Sequence, residues 1–383
     1  MLTAYTNRAI DEICDMLDNE QLDYLRLGNE ASCDERFRNH LLESMISEDS
    51  RLDEIKATID SMRIIVSTTS MLLTRPYIMQ LKDFSLCIVD EASQILEPGL
   101  IGILSSDNIG RFVLIGDHKQ LPAVVQQDEQ TARVSEQCLR NIGITDCRQS
   151  LFERLIRWES SQGRTDFIAT LNRQGRMHPE IAQFPFGHFY NEDDIQAVPL
   201  KHQKEEQLQY NGKDGDELDD TLSRHRVIFI DEPTPMKEAQ LVALLLHRIK
   251  ASVGNAFDAS ATAGVIVPYR HQIGLIRKEL EAYNEPELLD VSIDTVERYQ
   301  GSQRDVIIYS FAIEHAYQLD FLTANTVMDS DCAVDRKLNV AMTRARKQLI
   351  MTGSAKLLRR NDLFREIVEK YNFMHSGTDP IVL

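Results

Sequence analysis

At 383 residues the chain has room for two ordinary domains, each with its own buried core. Its 43% hydrophobic and 27% charged residues are those of a soluble globular protein, and no run of eighteen apolar residues offers a membrane span. A formal net charge of −18 excludes a protein that coats duplex DNA with its whole surface, but not a narrow basic channel, because phosphate contacts need only a local cluster.

The acidic, amphipathic start MLTAYTNRAIDEICDML lacks the basic head and apolar stretch of a secretory signal. Residues 20–60 are charged and helix-prone, and read as a helical insertion on the first domain. Apolar runs rich in β-formers follow at 63–69 (RIIVSTT), 85–90 (SLCIVD), 111–116 (RFVLIG) and 166–171 (DFIATL). An amphipathic helix at 151–161 holds the single tryptophan, Trp158, as a packing residue. The change of domain falls near Gly163, giving domains at 1–162 and 163–383. Residues 201–226 are polar, with two glycines and an acid cluster, and read as an exposed acidic loop. Further acid lies at 192–194, whereas 336–360 carries most of the local basic charge.

The second domain's strands fall at 226–231 (RVIFID), 263–268 (AGVIVP), 305–311 (DVIIYSF) and 348–353 (QLIMTG). Between them Ile273, Ile276 and Leu280 make one helical stripe, and Val334, Leu338, Ala341 and Ala345 another. Continuous apolar strands alternating with helices mean parallel α/β sheets covered on both faces, with ligands at the carboxyl ends of the strands. The six cysteines show no CxxC or Cys/His spacing and read as reduced thiols of a cytoplasmic protein.

Two strand ends carry chemistry. The run VDEASQ places Asp90 and Glu91 where one carboxylate can hold Mg²⁺ through water and the other can orient or deprotonate an attacking water. The run GDHKQLP places Gln120 where its amide can sense a γ-phosphate. Either alone suits a solvated turn; two in succession point to nucleotide hydrolysis.

In this order the runs resemble superfamily 1 helicases, in the branch of the nonsense-decay RNA helicase and the replication helicase–nuclease. Residues 3–11 (TAYTNRAID) are similar to motif Ia, 66–69 (VSTT) to a backbone-binding hydroxyl motif, and 171–181 (LNRQGRMHPEI) to motif IV. Residues 264–272 (GVIVPYRHQ) match a second-domain strand and helix start, 295–310 (TVERYQGSQRDVIIYS) motif V, and 338–353 (LNVAMTRARKQLIMTG) motif VI.

The resemblance implies two RecA-like parallel-sheet domains of the P-loop NTPase helicase type, with ATP and Mg²⁺ in the cleft between them and single-stranded DNA or RNA across the top. It implies 5′-to-3′ movement and leaves the choice between DNA and RNA open. Phosphoryl transfer needs guanidinium groups from the second domain, and the motifs nominate Arg176 and Arg344. Arg346, two residues along a presumed helix from Arg344, is left a structural or strand-binding role. Gly301 and Gln303 fall to the nucleotide, and Thr3, Asn7, Thr69, Pro122, Tyr269, Arg270 and Thr295 to the strand. His178, just before Pro179, reads as a helix-entry residue.

Three departures stand out. Gly175 replaces the aromatic that precedes the motif IV arginine, and Gln303 replaces an acid in motif V. No G-x-x-x-x-G-K-[ST] occurs, so the phosphate loop is absent and the first domain reads as N-terminally truncated. The missing loop is expected upstream in the same protein or on a partner. The alternative is an ATPase-inactive remnant that binds nucleic acid or protein.

Overall fold

The computed structural model describes residues 1–375 apart from 48, 192, 213, 214, 330 and 331, with the backbone alone for 372–375. The chain divides into two compact units, Met1–Ala169 and Thr170–Leu383, so the boundary lies after Ala169 and not near Gly163. The strand expected at 166–171 does not form, and Phe167 stands 90% exposed. An apolar run becomes a strand only where a neighbour completes its ladder, and none does so here.

The first unit is built on five parallel strands: β1 (Leu2–Ala4), β2 (Leu25–Leu27), β3 (Ile65–Thr68), β4 (Cys87–Asp90) and β5 (Phe112–Leu114). Their order is β2-β3-β1-β4-β5. Residues 20–60 are therefore not a purely helical insertion, because β2 joins the sheet beside β3. Its Arg26 is buried and paired with Asp11 of the helix Asn7–Asn19, an ion pair that fastens the strand to the helix. At the opposite edge β5 pairs with β4 alone, and Val113 and Ile115 are 43% and 41% exposed.

The second unit opens with a two-residue parallel pairing of β6 (Arg173–Gln174) and β7 (Gln196–Ala197). Its main sheet contains β8 (Val227–Asp231), β9 (Ala263–Val267), β10 (Ser292–Thr295) and β11 (Arg304–Ser310). After an antiparallel hairpin, β12 (Thr326–Asp329) and β13 (Cys332–Asp335), come β14 (Ala345–Gly353) and β15 (Asn372–His375). The order is β10-β9-β11-β14-β8-β15, all parallel. Every residue of β9 is buried, as a central strand covered on both faces requires. Gly264 in β9 is a packing necessity, because the Tyr299 hydroxyl sits where a Cβ would be.

Two further expectations change. Residues 201–226 are not one exposed loop. They contain a 3₁₀ turn, Lys201–Gln203, with His202 and Gln203 buried, and a helix, Glu217–Arg224, whose Asp219 and Leu222 are buried. Asp214 of that acid cluster, like Glu192, lies outside the described residues. The stripe Val334–Leu338–Ala341–Ala345 is split among β13, the helix Arg336–Met342 and β14. Arg344 therefore follows a helix and Arg346 lies in a strand. Among the described residues no helix is long and apolar enough to cross a membrane.

The helix Pro235–Val253 is fixed at both ends by local chemistry: Thr234 caps it, Pro235 takes the first position, and Gly254 at φ 61° ends it. Its first turn buries Glu238 completely. Glu238 Oε1 accepts from Ser310 Oγ and Thr352 Oγ1, both at 2.8 Å, and from the Ala312 amide at 3.2 Å. One carboxyl thus ties the helix to β11 and β14. Burial pushes its pKa up to about 8 against the pull of these donors.

A carboxyl whose folded pKa is raised holds its proton after the unfolded chain has lost it. Stability should therefore fall as pH rises from the unfolded carboxyl's range to about 8. Glu238→Gln is expected to remove that decline, so the gap between variant and wild-type Tm widens with pH, each kcal/mol moving Tm by about 2–4 °C. Parallel Tm–pH curves for the two proteins would show that Glu238 does not titrate in this window.

Candidate functional site

In the first unit the candidate catalytic residues stand just past the carboxyl ends of β4 and β5. Asp90 closes β4, half-buried, and burial raises its pKa although the Glu91 amide donates to its Oδ1 at 2.9 Å. Glu91 takes a left-handed conformation, φ 51°, uncommon for a residue with a Cβ. Its Oε2 accepts from Gln94 Nε2 at 2.6 Å. Chain reversal directly after the strand thus holds both carboxylates at the sheet's rim.

The loop after β5 is stitched to this turn. The Ala92 amide donates to the Ile115 carbonyl at 2.7 Å, and the Asp117 amide to Ser93 Oγ at 3.4 Å. Gly116 is required by the close approach, since a Cβ there would lie 2.9 Å from Ser93 N. Asp117 then positions the candidate sensor: its Oδ2 accepts from Gln120 Nε2 at 2.8 Å. Ser93 and Gln94 are site residues that the motif reading passed over. Their signal was proximity to Glu91 in sequence.

One carboxylate, with a partly desolvated charge that a cation would relieve, suits Mg²⁺ held through water and shared with phosphates. Among the described residues no group of three or more His, Cys, Asp or Glu side chains makes an all-protein cage.

The strand-binding candidates of this unit need correction. Thr3 is wholly buried within β1, between β3 and β4, and cannot meet a strand. The accessible hydroxyl nearby is that of Thr6, which caps the helix Asn7–Asn19 by accepting from the Ala9 amide at 3.2 Å. Thr69 is likewise buried, at the start of a helix capped by Thr68. Strand register turns the Thr3 hydroxyl inward, and Thr69 is buried in the first turn of its helix. Asn7 is exposed and Pro122 half-buried.

In the second unit three sequence-distant motifs meet. Arg176 Nε donates to Gln303 Oε1 at 3.2 Å, and its Nη1 to the Thr343 carbonyl at 3.4 Å. The Arg304 amide donates to the Arg344 carbonyl at 3.1 Å, so motifs V and VI are also joined through their backbones. Gly301 turns at φ 80° just before. Arg344 itself is only 2% exposed; its Nε donates to the Val340 carbonyl at 3.1 Å and its Nη2 to Thr343 Oγ1 at 3.4 Å. Arg346 is the more accessible and pairs with Asp305 at 3.1 Å.

The turn carrying Arg176 is held from the segment that the sequence suggested was a loose loop. His202 Nε2 lies 2.9 Å from the Arg176 carbonyl, and Gln203 Nε2 donates to the carbonyls of Gln174 and Met177 at 3.0 and 2.9 Å. His178 caps the helix Pro179–Phe189. Gly175 is exposed, and a Cβ built on it would lie 3.1 Å from Leu200. Tyr269, Arg270 and Thr295 line one cavity of about 520 Å³ at the ends of β9 and β10.

Residues 147–356 match an AAA domain family, and residues 47–128 match a second AAA domain family. The chain is 29% identical over 391 residues to the DNA replication ATP-dependent helicase/nuclease DNA2 of Xenopus laevis, covering 96% of this chain and 34% of that protein. The Mus musculus protein of the same name is 31% identical over 392 residues, with 94% and 33% covered. The DNA polymerase alpha-associated DNA helicase A of Saccharomyces cerevisiae is 27% identical over 341 residues, with 80% and 44% covered. The chain thus spans less than half the length of these relatives.

The left-handed backbone at Glu91 carries a stability cost that glycine would not bear. Glu91→Gly is expected to raise the stability of the first unit by roughly 1 kcal/mol, seen as a higher urea midpoint with unchanged slope. A lower midpoint would show that the Gln94 bond outweighs the backbone term.

Proposed function

The chain belongs to the superfamily 1 helicases, in the branch of the nonsense-decay RNA helicase and the replication helicase–nuclease, and from that membership we propose that it forms most of an ATP-driven translocase acting on single-stranded nucleic acid. The observation that carries this reading is Arg176. Its guanidinium is anchored to motif V through Gln303 and to motif VI through Thr343, residues 127 and 167 positions away. Bonds running to two other motifs fix where the guanidinium stands, as the stabilisation of developing phosphate charge requires.

In this reading Asp90 holds Mg²⁺ through water, Glu91 takes the proton of the attacking water, and Gln120, fixed by Asp117, reports the γ-phosphate. Arg176 stabilises the transferred phosphoryl group, Arg344, 2% exposed, fixes the motif VI turn whose Thr343 carbonyl anchors Arg176, and Gln303 hydrogen-bonds the nucleotide. Mg²⁺, when bound, neutralises charge on the phosphate oxygens. The phosphate loop, absent from these 383 residues, comes from another segment of the same protein or from a partner. Movement is 5′-to-3′, as in the branch it resembles.

The test uses the full-length protein with any segment that carries the phosphate loop. Single-stranded DNA or RNA should stimulate ATP hydrolysis. Glu91→Gln should lower kcat by roughly 10²- to 10⁴-fold while ATP affinity stays within about threefold. Normal turnover in Glu91→Gln would remove Glu91 from the proton-transfer role. Strand binding with no hydrolysis under any of these conditions would establish a binding module instead of a motor.

A further inference from the structure

No motif assigns a role to residues 315–322, between β11 and β12, yet this segment is rich in exposed rings. His315 and Tyr317 stack at 5.5 Å, and Phe321, on the short helix Gln318–Leu322, is 45% exposed. Phe321 stacks on Tyr269 with centroids 5.1 Å apart and planes 29° from parallel. Lys337 Nζ lies over the Phe321 ring, 3.9 Å from its centroid, and is held by Glu297 at 3.7 Å. The Tyr269 hydroxyl donates to the Gln318 carbonyl at 3.1 Å. Tyr269 is therefore fixed by both its ring and its hydroxyl.

This fixed ring divides two cavities. The first, of about 520 Å³, is bordered by Arg270, Thr295, Glu297, Arg298 and Phe321, with Glu297 paired to Lys337 and Arg298 to Asp294. The second, of about 490 Å³, is bordered by Thr234, His271, Gln272 and Glu314. Tyr269 borders both cavities, and Phe321, stacked on it, borders the first alone. Gln272 adds a second, independent sign of a ligand there. It is 1% exposed, its Nε2 donates to the Pro235 carbonyl, and its Oε1 has no hydrogen-bond partner. Each cavity is large enough for a nucleotide moiety.

We propose that Tyr269 is a base-stacking platform on the second unit, with Phe321 and Lys337 as the residues that position it. One base of a single strand enters the cavity bordered by His271 and Gln272 and lies on the Tyr269 ring. The adjoining phosphate lies in the other cavity, beside Arg270, Arg298 and Thr295. Cations and rings side by side are what sequence-tolerant single-strand binding needs, since every base has a π-face. The proposal rests on the single-strand reading given above and adds how the strand is gripped.

Binding of the full-length protein to fluorescein-labelled dT16, U16 and an abasic 16-mer, without nucleotide, tests it by anisotropy. Tyr269→Leu should weaken binding of dT16 and U16 by about 5- to 100-fold while barely changing the abasic strand and the salt slope. Tyr269→Phe, which keeps the ring and loses only the bond to Gln318, should retain most of the base-dependent binding that Tyr269→Leu loses, and Phe321→Leu should show a partial loss of the same kind. Arg298→Gln should instead weaken all three strands and lower the salt slope by about 1.

Wild-type affinity in Tyr269→Leu, or an equal loss on the abasic strand, would overturn the platform. So would a free mononucleotide that binds with the same dependence on Tyr269. If Thr295→Val and Arg270→Gln then still weaken dT16, the single-strand reading survives the failure of the platform. If they too bind normally, both fall. Matched Tm values for Tyr269→Phe and Tyr269→Leu keep the comparison free of unfolding.

Discussion

All strands of a parallel sheet end on the same rim, and that constraint places Asp90, Glu91 and Gln120 of the first unit and Tyr269 and Thr295 of the second, whereas Gln303 and Arg344 precede β11 and β14 at their amino ends. After its last ladder hydrogen bond each strand must release its backbone into a turn whose polar groups need new partners. Asp90 and Glu91 leave β4 in this way, the Gly116–Gln120 loop leaves β5, and Tyr269 and Thr295 leave β9 and β10. The chemistry is carried by what the sheet cannot pair. Glu238 serves the same constraint from below, binding hydroxyls of β11 and β14 and the amide just past the end of β11, where Ala312 turns at φ 49°.

Much of this was legible because it is local. A strand followed by VDEASQ or GDHKQLP announces its own carboxylates and amide, whatever lies around it. The parallel α/β class followed from continuous apolar strands, and the structure has two all-parallel sheets. What was not legible depends on partners distant in sequence. Thr3 carries the right hydroxyl in the wrong register, which becomes visible only when β1 is seen between β3 and β4, and Thr69 is buried in the first turn of a helix. The polar run after residue 200 looked unstructured because its hydrogen bonds go to a turn some thirty positions earlier.

The second unit also shows how an acidic protein keeps cations ready without spreading them. Arg176 bonds an amide oxygen and a carbonyl, Arg344 a carbonyl and a hydroxyl, and Lys337 lies over a ring while paired with Glu297. Arg346 and Lys347 are instead tied to Asp305. Local placement of this kind, not the net charge of −18, decides what the second unit can attract.

The outer edge of β5 has a consequence for handling the protein. A strand paired on one side only, with Val113 and Ile115 uncovered and no proline, bulge or lysine in the strand, lacks the devices by which natural sheets discourage recruitment of foreign strands. Arg111, exposed at its start, is the one gatekeeping charge beside it. While that edge is unpaired, it favours self-association of the first unit as concentration rises.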